Sequence, residues 1–99
     1  MNTPVSFEIA KLLKEKGYPF EFITVGELKE VPLNIPTIAE VVMWLYEKHG
    51  IWISVDPEND TDTWFFTISY NNSETIFGNY STPTEVYEAG IEYCLTNLI

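Results

Sequence analysis

One histidine and one cysteine are the residues of this sequence best suited to acid–base or nucleophilic chemistry. His49 and Cys94 are the only residues of their types among 99. A thiol becomes a nucleophile when a base lies within hydrogen-bond reach and a third group orients that base. The sequence signals no third group, and nearby acids would raise the pKa of the thiol. We expect no catalytic residue: His49 suits a helix C-terminus, and Cys94 lies on an apolar helical stripe.

The polar loop at residues 56–63 is the best candidate for a metal site. Its four weak candidate ligands are Asp56, Glu58, Asp60 and Asp62. This alternation matches the first four ligand positions of an EF-hand loop. However, Thr61 stands where the turn glycine belongs, and Thr67 stands where the bidentate glutamate belongs. We expect a solvated loop, with weak Ca²⁺ or Mg²⁺ binding as the alternative. No phosphate-binding, dinucleotide or zinc pattern is present, so we expect no resident metal and no cofactor.

The charge balance is the outlier of the composition. The chain has 15 acidic residues against five lysines and a formal net charge of −10. Such a field repels phosphate backbones, so we expect no direct binding to nucleic acid. Solubility is the ordinary role of this charge. The alternative is mimicry of a polyanion, or attraction to a basic partner.

Length and the N-terminal sequence bear on organisation and compartment. Ninety-nine residues suffice for one domain with one core, residues 1–99. A lone cysteine excludes an internal disulfide. The first 17 residues lack a signal-peptide pattern, and no run approaches the ~20 apolar residues of a membrane helix. We therefore expect a cytoplasmic protein without membrane contact.

The stretch from Pro36 to Val55 predicts a helix followed directly by a strand. Thr37 can cap the helix, and Glu40 lies three residues later, which is the spacing of a capping box. Apolar residues then recur at helical spacing as far as Gly50, which can end the helix in the left-handed conformation. The next five residues alternate as in a strand with one buried face.

The N-terminal third predicts a helix and a hairpin. Thr3 and Pro4 can serve as the cap and first position of an opening helix, which Gly17 ends. Residues 20–25 are rich in aromatic and branched side chains, which favours a strand. Residues 28–33 can return beside them as a short second strand.

The C-terminal half predicts paired strands and a final helix. Residues 63–70 give the strongest strand pattern, and residues 75–80 can pair with them across a polar turn. Thr82 can cap a helix that has proline at its first position. Gly90 within that helix would permit a close contact with the sheet. The order of elements predicts an α+β fold, with an antiparallel sheet of about three to five strands and about three helices mainly on one face.

Alternation along two strands places aromatic side chains opposite the helices. If Ile53 faces the core, Trp52 faces away from it. If Phe66 faces the core, Phe65 faces away. The two aromatic residues would then form a patch for a partner, or lie under the first helix or the N-terminal hairpin. The sequence leaves both alternatives open.

Two segments carry structural motifs, PTIAEVVMWLYEKHGIWISV at 36–55 and PTEVYEAGIEYCLTNL at 83–98. They resemble segments of small uncharacterised proteins from gut anaerobes and their phages. There a P-T-x-x-E helix carrying W-L-x-E-K leads into a strand, and an E-A-x-E-A-x-x-E-Y-x-L helix closes the chain. The matching residues of the closing segment are Glu85, Tyr87, Glu88, Ala89, Glu92, Tyr93 and Leu95. The resemblance implies a phage-associated or mobile-element origin and brings no activity or ligand.

These observations favour a small acidic protein that acts without catalysis, through contact with a protein partner or with itself as a homodimer. The interface candidates are Trp52 and Phe65. The second hypothesis is a DNA mimic that inhibits a nucleic-acid-binding enzyme. The third is a small enzyme or metal-binding protein that uses His49, Cys94 or the loop at 56–62.

Overall fold

A computed structural model describes residues 3–26, 29–32, 34–58 and 62–99, with 22–25 and 29–32 described by their backbone alone. The helices are α1 (Phe7–Glu15), α2 (Ile38–His49) and α3 (Pro83–Tyr93), and α3 continues as a π-helical segment, Cys94–Leu98. The strands are β1 (Phe22–Val25), β2 (Lys29–Pro32), β3 (Trp52–Pro57), β4 (Trp64–Tyr70) and β5 (Ser73–Tyr80). The described chain is therefore an α+β domain, which confirms the predicted fold class.

The five strands of the described residues form two antiparallel sheets. β1 pairs with β2 as the predicted hairpin, and the other sheet has the order β3-β4-β5. In the described part of the chain, the backbone of the β1–β2 hairpin approaches no other helix or strand. Helices α2 and α3 pack against the three-stranded sheet, and α1 packs against α3 and the π-helical segment.

Helix α2 begins and ends as its sequence predicts. The side chain of Thr37 accepts the backbone N–H of Glu40, and the Glu40 carboxylate accepts the backbone N–H of Thr37, which completes the capping box. Gly50 ends the helix with φ 67°. The chain then turns directly into β3, since Ile51 N–H donates to the carbonyl of Leu45.

Helix α1 begins three residues later than the Thr3-Pro4 signal predicts. Its N-cap is Ser6, whose hydroxyl accepts the N–H of Ile9 at 3.2 Å. Pro4 instead forms an isolated bridge with Thr37. Because the entry to α2 holds this segment in extended conformation, the helix cannot start there.

The inner face of the three-stranded sheet lies against α3. Ile53 and Phe66 are almost completely buried on this face. A Cβ atom on Gly90 would lie 3.3 Å from Ile53 Cγ2 and 3.4 Å from Phe66 Cδ2. Gly90 therefore sets the helix-to-sheet distance, as the sequence predicts.

A tight turn and a bulge shape β5. Asn71 and Asn72 both have positive φ, 52° and 63°, as a two-residue type I′ hairpin turn requires. The register between β4 and β5 then shifts between Trp64 and Phe66. Regular pairing in this hairpin extends from the turn to Phe77.

Candidate functional site

The acidic loop holds a structural carboxylate. Glu58 Oε1 accepts the backbone N–H of Asn79 at 2.8 Å, and Glu58 N–H donates to the carbonyl of Thr63. Asn79 lies at the β5 bulge with φ 73°. A Cβ atom on Gly78 would lie 2.7 Å from Glu58 Oε1, so the absence of a side chain there makes room for the carboxylate.

The other candidate metal ligands that the structure describes lie exposed, one before and one after Glu58 in the chain. Asp56 lies exposed on β3 and Asp62 lies exposed before β4, whereas Asp60 falls outside the described residues. Partial burial, and secondarily the negative charge of Asp56, raise the pKa of Tyr87 on α3. Among the described residues, no three acidic, histidine or cysteine side chains are grouped so as to hold a metal ion.

His49 and Cys94 have different surroundings. The His49 ring packs edge-on against Trp44, with centroids 4.9 Å apart. The Cys94 side chain is completely buried in the core. Burial raises the pKa of the Cys94 thiol from 9.0 to about 12, so very little thiolate forms near neutral pH. His49 is therefore held by ring packing, and Cys94 is a buried thiol of the core.

The outer face of the β3–β5 sheet is the surface opposite α3. By register it carries Trp52, Ser54, Asp56, Phe65, Thr67, Ser69, Glu74 and Ile76. Trp52 is 41% exposed and Ile76 is 65% exposed. Even Thr67, on the central strand, keeps part of its surface in solvent. No described helix or strand therefore covers this face.

Trp52 and Phe65 share the outer face without lying side by side. Trp52 pairs with Ser69, and Phe65 pairs with Asp56, so the row formed by Ser54 and Thr67 separates them. At about 3.3 Å per residue, the rows of the two aromatic residues are about 13 Å apart along the strands. Phe65 is half-buried. The two side chains therefore lie at separate positions along the face and do not form one cluster.

Tyr46 extends the apolar surface from Trp52 onto α2. The two rings meet edge-on with centroids 5.5 Å apart, and Tyr46 is 54% exposed. With Gly50 they line a shallow depression that continues to the β4–β5 turn. Tyr46 and Ile76 are parts of this surface that the sequence reasoning missed. Both could have been found from the sequence. Tyr46 lies off the apolar stripe of α2, which indicates an exposed aromatic ring, and Ile76 alternates with inward-facing Phe77, which indicates the outer face.

A groove between α1 and α3 gathers acidic side chains on another part of the surface. It is lined by Glu8, Glu15, Glu88 and Glu92, with Lys11 among them. An adjoining depression adds Glu85. Glu88 also accepts the backbone N–H of Ser6 at 3.1 Å, so one of these carboxylates ties α3 to the start of α1.

In the described part of the chain, no helix has both the length and the apolar character needed to cross a membrane.

Comparisons with protein-family models, curated proteins and solved structures find no match to this chain. The outer face of the sheet and the net charge of the molecule are the features that bear on function.

Proposed function

We propose that this protein is a non-catalytic, cytoplasmic binding module that uses the outer face of the β3–β5 sheet to hold a basic protein partner. The observation that carries the proposal is the uncovered sheet face, where Trp52 is 41% exposed and Ile76 is 65% exposed. Isolated exposed apolar residues are ordinary on a protein surface. Two of them on one uncovered face, with a tyrosine continuing the surface from Trp52, support an interface on this face.

The exposed part of Trp52 is large enough to matter for affinity. A tryptophan can bury up to about 250 Å², so its exposed fraction of 41% corresponds to ~100 Å². At ~25 cal/mol per Å², covering it contributes ~2.5 kcal/mol before the costs of association. The partner therefore needs an apolar contact opposite this ring.

The charge of the molecule indicates the charge of the partner. The chain carries a net charge of −10, and Asp56 and Glu74 lie on the outer face itself. No lysine occurs in β3, β4 or β5. Opposite charge accelerates encounter and rejects acidic competitors. A basic protein with an apolar centre to its contact surface fits this arrangement.

A pull-down from the native host with immobilised protein tests the proposal. Wild type should retain a basic protein, more weakly at high salt, and the double variant Trp52→Ser, Phe65→Ser should lose it. Phe7→Ser is the matched control, because Phe7 is an exposed aromatic residue on α1. Melting temperatures must be measured beside the capture, since Phe65 is half-buried. Equal capture by the folded double variant and wild type would reject the outer face as the binding surface.

A DNA mimic is the second candidate, and the acidic groove between α1 and α3 favours it. Five of the 15 acidic residues line this groove and its neighbour. Along α3, Glu85, Glu88 and Glu92 are about 4.5 and 6 Å apart in axial rise. Successive phosphates of one DNA strand are about 3.4 Å apart along the axis, so this stripe is sparser than DNA. We therefore rank it second.

The variant Glu15→Gln, Glu92→Gln separates the two candidates. A DNA mimic should lose capture of a nucleic-acid-binding enzyme when these groove charges are removed. A module that uses the outer face should keep its partner, because neither residue lies on that face. Retention by this variant together with loss by Trp52→Ser would leave only the first candidate.

A further inference from the structure

We propose that the outer face binds an arginine side chain of its basic partner, in a gap where Trp52 and Glu74 stand on either side of Ser69. This inference rests on the proposed function and deepens it, because it names the basic side chain and the residues that receive it. The register of the sheet, the β4–β5 turn and the depression beside Trp52 carry it.

The gap is a single row of residues across the three strands. Trp52 on β3 pairs with Ser69 on β4, and Ser69 pairs with Glu74 on β5. Directly opposed residues of antiparallel strands lie on one face, so all three side chains belong to the outer face. Since neighbouring strands are about 4.8 Å apart, the Cα atoms of Trp52 and Glu74 are about 9.6 Å apart. The short side chain of Ser69 leaves space between the ring and the carboxylate.

The fold holds both walls of the gap in place. The Tyr46 ring meets Trp52 edge-on, a contact that can occupy no more than one face of the indole, and 41% of Trp52 remains exposed. Glu74 is exposed and follows the tight turn at Asn71 and Asn72, where both residues have positive φ. The two walls and the serine between them line one shallow depression. The space between ring and carboxylate is therefore open to solvent.

A ring and a carboxylate on opposite sides of a gap select a cation. A guanidinium group is attracted to the face of an indole, and its N–H fork donates two parallel hydrogen bonds to a carboxylate. No lysine occurs in β3, β4 or β5, so these strands supply no cation of their own. An apolar side chain in the gap would cover the Glu74 charge without pairing it, which is costly. Charge complementarity therefore favours a basic side chain.

Arginine fits this gap better than lysine. Its guanidinium is planar and can contact the ring and the carboxylate at once, whereas a lysine ammonium is a compact and strongly hydrated point charge. A guanidinium within about 6 Å of the Trp52 ring centroid and about 2.8 Å from the Glu74 oxygens would span the distance between the two side chains. The gap should therefore distinguish two side chains of equal charge.

Two-dimensional NMR of the full chain tests the inference with N-acetyl-arginine amide and N-acetyl-lysine amide, which carry the same single charge. The indole N–H resonance of Trp52, identified by its absence from the spectrum of Trp52→Phe, reports binding. The arginine probe should shift this resonance with a Kd of roughly 10 mM, because both contacts are weak at an exposed site. The lysine probe should bind about threefold more weakly or worse.

Two pairs of variants separate the gap from the general charge of the molecule. Glu74→Gln should weaken binding of the arginine probe by about threefold or more, whereas Glu8→Gln removes the same charge from α1 and should have little effect. Ser69→Leu should abolish the shift, because it fills the gap while both walls remain. Thr67→Leu adds the same bulk in the next row of the face and should leave binding intact. Melting curves should show that each variant is folded.

Equal binding of the two probes would overturn the inference, as would the absence of any shift with the arginine probe. An unchanged Kd in Glu74→Gln, or equal effects of Ser69→Leu and Thr67→Leu, would also overturn it. The proposed function fails separately. It fails if the arginine probe behaves as expected while the folded variant Trp52→Ser, Phe65→Ser captures the partner like wild type. It survives if that variant loses the partner while the two probes bind equally.

Discussion

The contact between Glu58 and the β5 bulge gives a prediction that a double-mutant cycle can test. Gly78→Ala would place a Cβ atom 2.7 Å from Glu58 Oε1, so the carboxylate must move away from the Asn79 N–H that it accepts at 2.8 Å. An exposed hydrogen bond of this kind contributes about 1 kcal/mol. We expect Glu58→Ala to lower the free energy of unfolding by about that amount. Gly78→Ala should lower it by only about 0.5 kcal/mol, because replacing glycine also restricts the unfolded chain.

The double variant should be more stable than the sum of these losses predicts. Once Glu58 is alanine, the Cβ at position 78 meets no carboxylate, and replacing glycine restricts the unfolded chain by about 0.5 kcal/mol. The double variant should therefore lie only about 0.5 kcal/mol below wild type, a coupling of about 1 kcal/mol. Urea denaturation monitored by tryptophan fluorescence gives the free energy of unfolding of all four proteins.

Two results would refute this reasoning. Additive losses of about 1.5 kcal/mol in the double variant would show that Glu58 and Gly78 act independently. A Gly78→Ala variant more stable than wild type would show that the carboxylate does not occupy this position. Since 1 kcal/mol corresponds to roughly 4–8 °C in a domain of this size, thermal melts would resolve either outcome.

Three further predictions concern the helices and the thiol. Gly90→Ala should lower the free energy of unfolding by about 1 kcal/mol, as measured by urea denaturation. Strain of ~2 kcal/mol against Ile53 and Phe66 exceeds a gain of ~1 kcal/mol in helix propensity. A stabilised variant would contradict this prediction. Thr82→Ala should cost about 1 kcal/mol by loss of the cap on α3, and Thr82→Asp should retain most of the stability. Above about pH 9.0 the stability should fall, because the unfolded Cys94 thiol ionises while the native thiol keeps its proton until about pH 12. Cys94→Ala should make that decline shallower in pH-dependent urea unfolding, and an unchanged slope would show that Cys94 does not contribute.

Features that depend on residues close together in the chain could be predicted from the sequence. The capping box of Thr37, the end of α2 at Gly50 and the two faces of β3 and β4 depend on neighbours a few residues apart. The side chains of Trp52 and Phe65 were placed on the outer face by the same alternation. Their separation by a whole row depends on the pairing of β3 with β4, which alternation within one strand does not specify.

Features made by distant residues could not be predicted. Glu58 was expected in a solvated loop, but its partner Asn79 lies 21 residues away. The start of α1 shifts to Ser6 because Pro4 pairs with Thr37. In each case a contact remote in sequence overrides a local signal, and only the folded chain brings those partners together.

The packing of α1 has a consequence for the order in which the nascent chain can fold. Helix α1 contacts α3 and the π-helical segment, through bonds that join residues 82 and 83 positions apart, Ser6 to Glu88 and Lys16 to Ile99. During translation α1 therefore emerges long before its partners. Ile9 and Leu13, which are buried in the finished fold, should remain accessible to chaperones on the ribosome until α3 has been synthesised.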